Sequence, residues 1–322
     1  MKMLFYPARY GRLIDRLAES FPTVEMIRIH QPEDIAANLP GVEAMVSANS
    51  VFSSDVGRAV REHGKALRWM QFTTSGIDTA LKGGVPDGIP VTNGGGMHAH
   101  TVAAHAFSLL LALMRRLNEC GTARAAHQWL ARNELGPTLV TTRGRTMALI
   151  GLGSIGQDIA RKAKAFDMRV LAVSRGGGAP NVDKVYPRER MHEALSEADV
   201  IVAATSYDAS SHHMIDAAAL AAAKPGAIFV NIARGSVVDE TALIAALRSG
   251  QIGAAGLDVT EVEPLPPSSP LWDMPNVVLT PHVAGSGADN NDALYDVISV
   301  NLRRFLAGQK FERVVHGPNP GA

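Results

Sequence analysis

The stretch MALIGLGSIGQDIARKAKAFDMRVLAVSR, residues 147–175, decides how this chain is read. Apolar residues 147–150 form a buried strand, Gly151, Gly153 and Gly156 form a GxGxxG turn, residues 157–166 have helical periodicity, and 168–173 return as a second strand. A βαβ unit of this kind runs to about 30 residues. Each glycine answers a separate demand: Gly151 makes the tight turn, Gly153 lets backbone approach a pyrophosphate, and Gly156 lets helix pack on strand. The helix N-terminus then offers free N–H groups to phosphate, so Gly151, Gly153, Ser154, Ile155 and Gly156 are the candidate phosphate contacts.

The second strand ends in Ser174 and Arg175, followed by Gly176, Gly177 and Gly178. Folds that prefer NAD place an acid here, about 20 residues past the glycines, where it accepts from the ribose 2′-OH and repels a 2′-phosphate. The nearest acids in sequence, Asp167 and Asp183, lie before the strand and well past its end. Ser174 can donate to a phosphate oxygen and Arg175 can pair with it. The expected cofactor is therefore NADP, with NAD possible.

With 322 residues the chain exceeds the ~250–300 at which one core stops growing, which implies two domains. Strands at 3–6, 24–29, 44–47, 67–72 and 90–92, with helices at 12–20 and 55–63, make a first α/β domain. The glycines of NGGGMHAH break it, and the apolar helix from Val102 to Met114 crosses into the second. There strands at 198–203, 227–231, 253–259 and 277–279 alternate with helices at 215–223 and 240–249. An amphipathic helix at 291–307 returns the chain to the first domain. The expected architecture is α/β: two doubly wound parallel-sheet domains, a Rossmann dinucleotide-binding domain (99–286) inserted in a flavodoxin-like substrate domain (1–98 plus 287–322). Residues 120–145 read as an extended arm and 310–322 as a loose tail.

Lys plus Arg equals Asp plus Glu at 31 each, so no basic footprint points to nucleic acid. A single cysteine, Cys120, excludes an intramolecular disulfide framework and a Cys-rich zinc site. His98, His100 and His105 have no accompanying carboxylate or cysteine, and i,i+2 side chains on a helix point apart, so no metal is expected. The start MKMLFYPARYGR has too short an apolar run for a signal peptide, and the run 102–114 is too short to span a bilayer. A cytoplasmic protein without membrane contact is expected.

Three strand ends converge chemically. Arg234 follows the strand at 227–231, Asp258 and Glu263 follow that at 253–259, and His282 follows that at 277–279. Ligands of open α/β sheets bind at such ends. A guanidinium there can hold a carboxylate through two parallel hydrogen bonds, a histidine can give a proton to a developing alkoxide, and a carboxylate can orient and charge the imidazole.

The stretch NIARGSVVDETALIAALRSGQIGAAGLDVTEVEPLPPSSPLWDMPNVVLTPHVAGS, residues 231–286, resembles the signature region of D-isomer-specific 2-hydroxyacid dehydrogenases, and the resemblance extends to TTSGID at 73–78 and VNLRRFLAG at 300–308. It implies that Arg234 binds the carboxylate of a small 2-oxoacid, that His282 is the proton donor and acceptor, and that Glu263 pairs with His282. It further implies that backbone N–H groups of Ser75 and Gly76 hold the carboxylate from the first domain, and that Asp258 and the backbone of Ile232 and Ala233 contact the nicotinamide. The resemblance also implies a cleft between domains, hinge closure and a homodimer built on the nucleotide domain. Where the family usually has Leu-Pro-Leu-Thr, this chain reads Thr205, Ser206, Tyr207, Asp208, which puts Thr205 and Ser206 at the cofactor-contact positions. Ser154 replaces the usual Arg, and Ala104 stands where Val-Ala-Glu is common. A dehydrogenase of another small anion such as phosphite, or a non-catalytic NAD(H)-sensing corepressor-like protein, would share the fold; formate-type relatives usually carry Gln at the Glu263 position. The substrate pocket would depend on Tyr6, Arg9, Phe52, Met97 and Trp272.

Overall fold

A computed structural model describes residues 1–8, 10–287 and 290–319. The chain forms two units, Met1–His98 with Gly287–Ala322, and Ala99–Ser286. Unit 1 begins with strands β1 (Lys2–Tyr6), β2 (Glu25–Arg28), β3 (Ala44–Ser47), β4 (Trp69–Phe72) and β5 (Val91–Thr92). Unit 2 holds β6 (Thr146–Ile150), β7 (Arg169–Val173), β8 (Lys184–Tyr186), β9 (Val200–Ala203), β10 (Ala227–Asn231), β11 (Ile252–Leu257) and β12 (Val277–Leu279). The chain then contributes β13 (Val314–His316) to unit 1.

The sheet of unit 1 has the order β13-β5-β4-β3-β1-β2, and that of unit 2 the order β12-β11-β10-β9-β6-β7-β8. All pairings are parallel except β13 with β5. Parallel sheets are covered on both faces, and the sequences agree: TMALI, VIVA and AMVS are buried at every position. The two doubly wound parallel sheets expected from the sequence are thus present.

In unit 2 the helix Ala99–Met114 covers one face of the sheet. Its Ala103, Ala106, Phe107 and Leu110 pack with Ile159, Ala160 and Ala163 of the helix Ser154–Ala165 and with Met147 and Leu149 of β6. Full burial of one Leu or Phe is worth ~1.5–3 kcal/mol, so this interface anchors the glycine turn against the sheet. Gly256 in β11 exists for the same contact, because a Cβ there would stand 2.8 Å from Cβ of Leu109.

Four segments depart from expectation. Over residues 310–319 the tail is not loose: β13 adds an antiparallel edge, Phe311 is buried and stacks on Trp69 at 5.1 Å, and Asn319 bonds both the N–H and the carbonyl of Phe311, while 320–322 lie outside the described residues. The segment 120–145 is not an extended arm, since Leu117–Ala125 and Arg132–Leu135 are helical. Its first helix buries only Ala123, so no apolar stripe signals it in the sequence. The helix Ser154–Ala165 also starts three residues earlier than its periodicity indicates, and the short strand β8 escaped notice. Among the described residues no helix is long and apolar enough to cross a membrane.

Candidate active site

Gly151 follows β6 with φ +103°, and a Cβ on it would lie 2.7 Å from the Ala204 carbonyl oxygen and the Thr205 backbone. A Cβ on Gly156 would lie 2.2 Å from the Gly151 oxygen, while Gly153 faces open space. The helix Ser154–Ala165 starts at this turn with no side-chain cap and no acidic residue in its first turn; Ser154 is exposed and Ile155 half-buried. Unsatisfied N–H groups, the positive end of a helix dipole and room for close approach are what a pyrophosphate requires. The residues fit a dinucleotide. The Thr205 backbone, after β9, lies against this turn, and the Thr205 hydroxyl is 3.3 Å from the oxygen of the next residue, Ser206.

At the end of β7, Ser174 Oγ accepts the Gly176 N–H at 3.1 Å. Asp183 is engaged elsewhere, bonded to Lys164 and to the Val170 N–H. Arg175 is nevertheless not without an acid, because Asp208 approaches it from the loop after β9, with Nη2 to Oδ2 at 3.5 Å.

Asn231 closes β10 and shapes the turn that carries Arg234. Its buried side chain accepts the Ala233 N–H at 3.0 Å and donates to the Arg234 carbonyl at 3.1 Å. Ile232 and Ala233 are buried, and Arg234 Nη1 donates to the Ala233 oxygen at 2.7 Å. Gly235 allows the next loop to close in, since a Cβ there would meet the Thr260 carbonyl carbon at 1.9 Å. Sequence reasoning passed over Asn231, although an Asn ending the otherwise apolar run AIFV was its visible signal.

His282 adopts φ +53°, and its N–H donates to the Asp258 carbonyl at 2.8 Å. Its Nδ1 lies 2.7 Å from Glu263 Oε2, while Glu263 Oε1 accepts the Thr260 N–H at 3.3 Å. The Glu263 hydrogen bond, reinforced by its charge, raises the His282 pKa above the ordinary histidine value against the opposing pull of burial and of Arg234. Burial alone would raise the Glu263 carboxyl, but the His282 bond, with help from Thr260 and Arg234, outweighs it and holds that pKa low. Such a pair keeps a proton on the imidazole at a strand end.

Asp258 lies beneath this turn. It is 2% exposed, and its carboxylate accepts the Thr280 hydroxyl at 2.6 Å and the N–H groups of Val283 and Ala284 at 2.9 Å each. His105, from the helix Ala99–Met114, places Nε2 2.9 Å from Thr280 Oγ1 and 3.4 Å from Asp258 Oδ1. These bonds clamp the backbone on which His282 sits; Thr280 and His105 were not singled out for this from sequence.

In unit 1, Ser75 and Gly76 lie in the loop that follows β4. Asn93 Nδ2 donates to the Ser75 carbonyl and Thr74 Oγ1 to the Gly76 carbonyl at 2.8 Å, which fixes this loop's backbone. Of the residues expected to shape a pocket, Phe52 is fully buried and meets Phe72 edge-on at 5.4 Å, Tyr6 is buried, and Met97 packs on the unit 1 core. Trp272 is exposed, its Nε1 bonded to the Pro266 oxygen at 3.0 Å. Arg9 lies outside the described residues.

Comparison with known proteins agrees with this geometry. The family described as D-isomer specific 2-hydroxyacid dehydrogenase, NAD binding domain, matches residues 107–284. The chain is 34% identical to a glyoxylate reductase of Pyrococcus furiosus over 86% of its own length and 83% of that protein. It is 32% identical to glyoxylate/hydroxypyruvate reductase B of Salmonella newport over 94% and 93%. A D-isomer specific 2-hydroxyacid dehydrogenase of Xanthobacter autotrophicus, solved with NADPH and MES, superposes with a TM-score of 0.80 and 28% identity over 98% of this chain and 97% of that one. The dinucleotide cradle, the His282–Glu263 pair and these matches lead to one conclusion: the chain belongs to the D-isomer-specific 2-hydroxyacid dehydrogenase family and is an NAD(P)-dependent dehydrogenase.

Proposed function

We propose that this enzyme reduces a small 2-oxoacid of the glyoxylate or hydroxypyruvate kind to the D-2-hydroxyacid, using NADPH in preference to NADH, as a cytoplasmic homodimer. The observation that carries this reading is the 2.7 Å contact of His282 Nδ1 with Glu263 Oε2. The named activities of the relatives and the NADPH bound to the structural neighbour support it.

Gly151, Gly153, Ser154, Ile155 and Gly156 would hold the pyrophosphate, Ser174 and Arg175 the adenosine 2′-phosphate, and Thr205, Ser206, Ile232 and Ala233 the nicotinamide half. Asp258, engaged with the His282 turn, would contact the nicotinamide end through that turn. Bound there, the cofactor would supply a hydride for the C2 carbonyl. Arg234 grips the substrate carboxylate and opposes the negative charge that grows on the carbonyl oxygen. Backbone N–H groups of Ser75 and Gly76 would hold a substrate carboxylate. His282, with Nδ1 held by Glu263, uses Nε2 to protonate the oxygen and takes the proton back in the reverse direction. Asn231 and Asp258 are positioning residues that fix the two turns. The homodimer reading is supported by exposed Leu117, Trp129 and Leu130 on one segment, Trp129 at 98%, an apolar surface of the kind that partners cover.

The test is spectrophotometric NADPH oxidation with glyoxylate, hydroxypyruvate, pyruvate and phenylpyruvate in turn. Turnover on at least one is expected. Cofactor binding without turnover on any of them would return the protein to the sensing or other-anion alternatives.

A further inference from the structure

We propose that Asp208 sets cofactor selectivity by competing with the 2′-phosphate of NADPH for the guanidinium of Arg175, an inference that rests on Arg175 being the 2′-phosphate partner. The acid that NAD-preferring folds carry at the end of the second strand is missing from that place in this sequence. The structure brings one there from elsewhere. Asp208 comes from the loop after β9, the same loop in which Thr205, Ser206, Tyr207 and Asp208 replace the usual family residues.

Its carboxylate is held in place. Oδ1 accepts the N–H groups of Ser210 at 2.8 Å and Ser211 at 3.0 Å and the Ser210 hydroxyl at 2.5 Å, while Asp208 N–H donates to Ser211 Oγ. Arg188 secures the far side of this turn, with Nη1 donating to Ser210 Oγ at 2.9 Å. Oδ2 is the oxygen directed at Arg175. Hydrogen bonds from Ser210, then from the turn's backbone, together with the Arg175 charge, keep the group ionised by lowering its pKa.

The Arg175 and Asp208 side chains are 75% and 41% exposed and meet only at 3.5 Å. Ion pairs of this kind are weak, so the guanidinium can change partners. A phosphate monoester, carrying about −1.5 to −2 charges and three acceptor oxygens, outcompetes one carboxylate for it. The carboxylate is fixed by its own turn and stays beside the incoming phosphate. NADPH must therefore detach Arg175 from Asp208 and tolerate the like charge left behind. NADH, with a neutral 2′-hydroxyl, meets neither cost. Asp208 thus narrows the NADPH preference that Ser174 and Arg175 create.

The test is fluorescence titration of NADPH and NADH, giving Kd for each without any substrate, on the unmodified protein, Asp208→Asn, Arg175→Ala and the double variant. Asparagine keeps the capping acceptor while removing the charge. Asp208→Asn is expected to shift the Kd ratio towards NADPH by about two- to fivefold, the scale of an exposed ion pair. Arg175→Ala is expected to shift it towards NADH, and in that background Asp208→Asn is expected to add little. An unchanged or opposite shift in Asp208→Asn, with Arg175→Ala behaving as stated, overturns the role of Asp208 alone. An equal gain in both backgrounds overturns competition through Arg175. If Arg175→Ala leaves the ratio untouched, the placement of the 2′-phosphate is itself wrong and the inference falls with it.

Discussion

His282 and Glu263 meet across two separate strand ends, Nδ1 to Oε2 at 2.7 Å, although 19 positions apart in the chain. The histidine turn is pinned from below by Asp258, and the glutamate is steadied by the Thr260 N–H. A fixed imidazole whose Nδ1 proton is committed to a carboxylate leaves Nε2 for a substrate oxygen.

Replacing His282 with Ala is expected to lower kcat for 2-oxoacid reduction by roughly 10²–10⁴-fold, because a general acid acts in the transition state. Kd for the cofactor is expected to stay close to that of the unmodified enzyme. A variant with undiminished kcat would remove His282 from the mechanism.

Arg234→Lys is expected to behave as a damaging change despite its retained charge. Lysine cannot offer the planar two-point grip, and a charged hydrogen bond is worth about 1.5–3 kcal/mol, or roughly 10- to 100-fold in kcat/KM. Steady-state kinetics with glyoxylate checks this, and wild-type kcat/KM in the lysine variant would rule Arg234 out as the carboxylate clamp.

Asn231→Ala removes the acceptor of the Ala233 N–H and the donor to the Arg234 carbonyl. Leaving buried polar groups unpaired costs about 1–3 kcal/mol, so Tm is expected to fall. A purely structural role would stop there. Positioning of Arg234 requires in addition that kcat/KM drop for the carboxylate substrate while Kd for the cofactor changes little, and an unaltered kcat/KM would limit Asn231 to stability.

Ser174→Asp puts a carboxylate at the end of β7, where it would repel a 2′-phosphate. The ratio of kcat/KM for NADPH to that for NADH is expected to fall. A ratio that stays put would show that the adenosine ribose does not bind at this strand end.

Much of this was legible in the sequence, for identifiable reasons. Gly151, Gly153 and Gly156 combine a spacing with a flanking strand and helix, and such local patterns survive in any tertiary context. Arg234, Glu263 and His282 were visible because an alternating α/β chain announces its strand ends, and polar residues there stand out against apolar strands. Contacts made by distant loops left no such trace. Asp183 looked like the acid nearest to Arg175 beyond the strand, but it is tied to Lys164, and Asp208 arrives from another strand end. His105 lies in an apolar helix with no metal-ligand pattern and no other sign of a role in the sequence, yet packing of that helix on the sheet carries it to Thr280. The tail looked loose because its order comes from Phe311 stacking on Trp69, a contact between the two separate sequence segments of unit 1.

The most direct test of the central claim, that Glu263 keeps His282 protonated as the acid of reduction, is the pH dependence of kcat/KM for glyoxylate reduction in the unmodified enzyme and in Glu263→Gln. Imidazolium is present below its pKa and lost above it, so reduction is expected to decline as pH rises through the raised His282 pKa, while oxidation of the hydroxyacid gains over the same interval. Without the carboxylate that pKa falls back, and the declining limb is expected to move to lower pH in Glu263→Gln. A rate flat across this range with chemistry limiting, or a limb at the same pH in both proteins, would contradict the account.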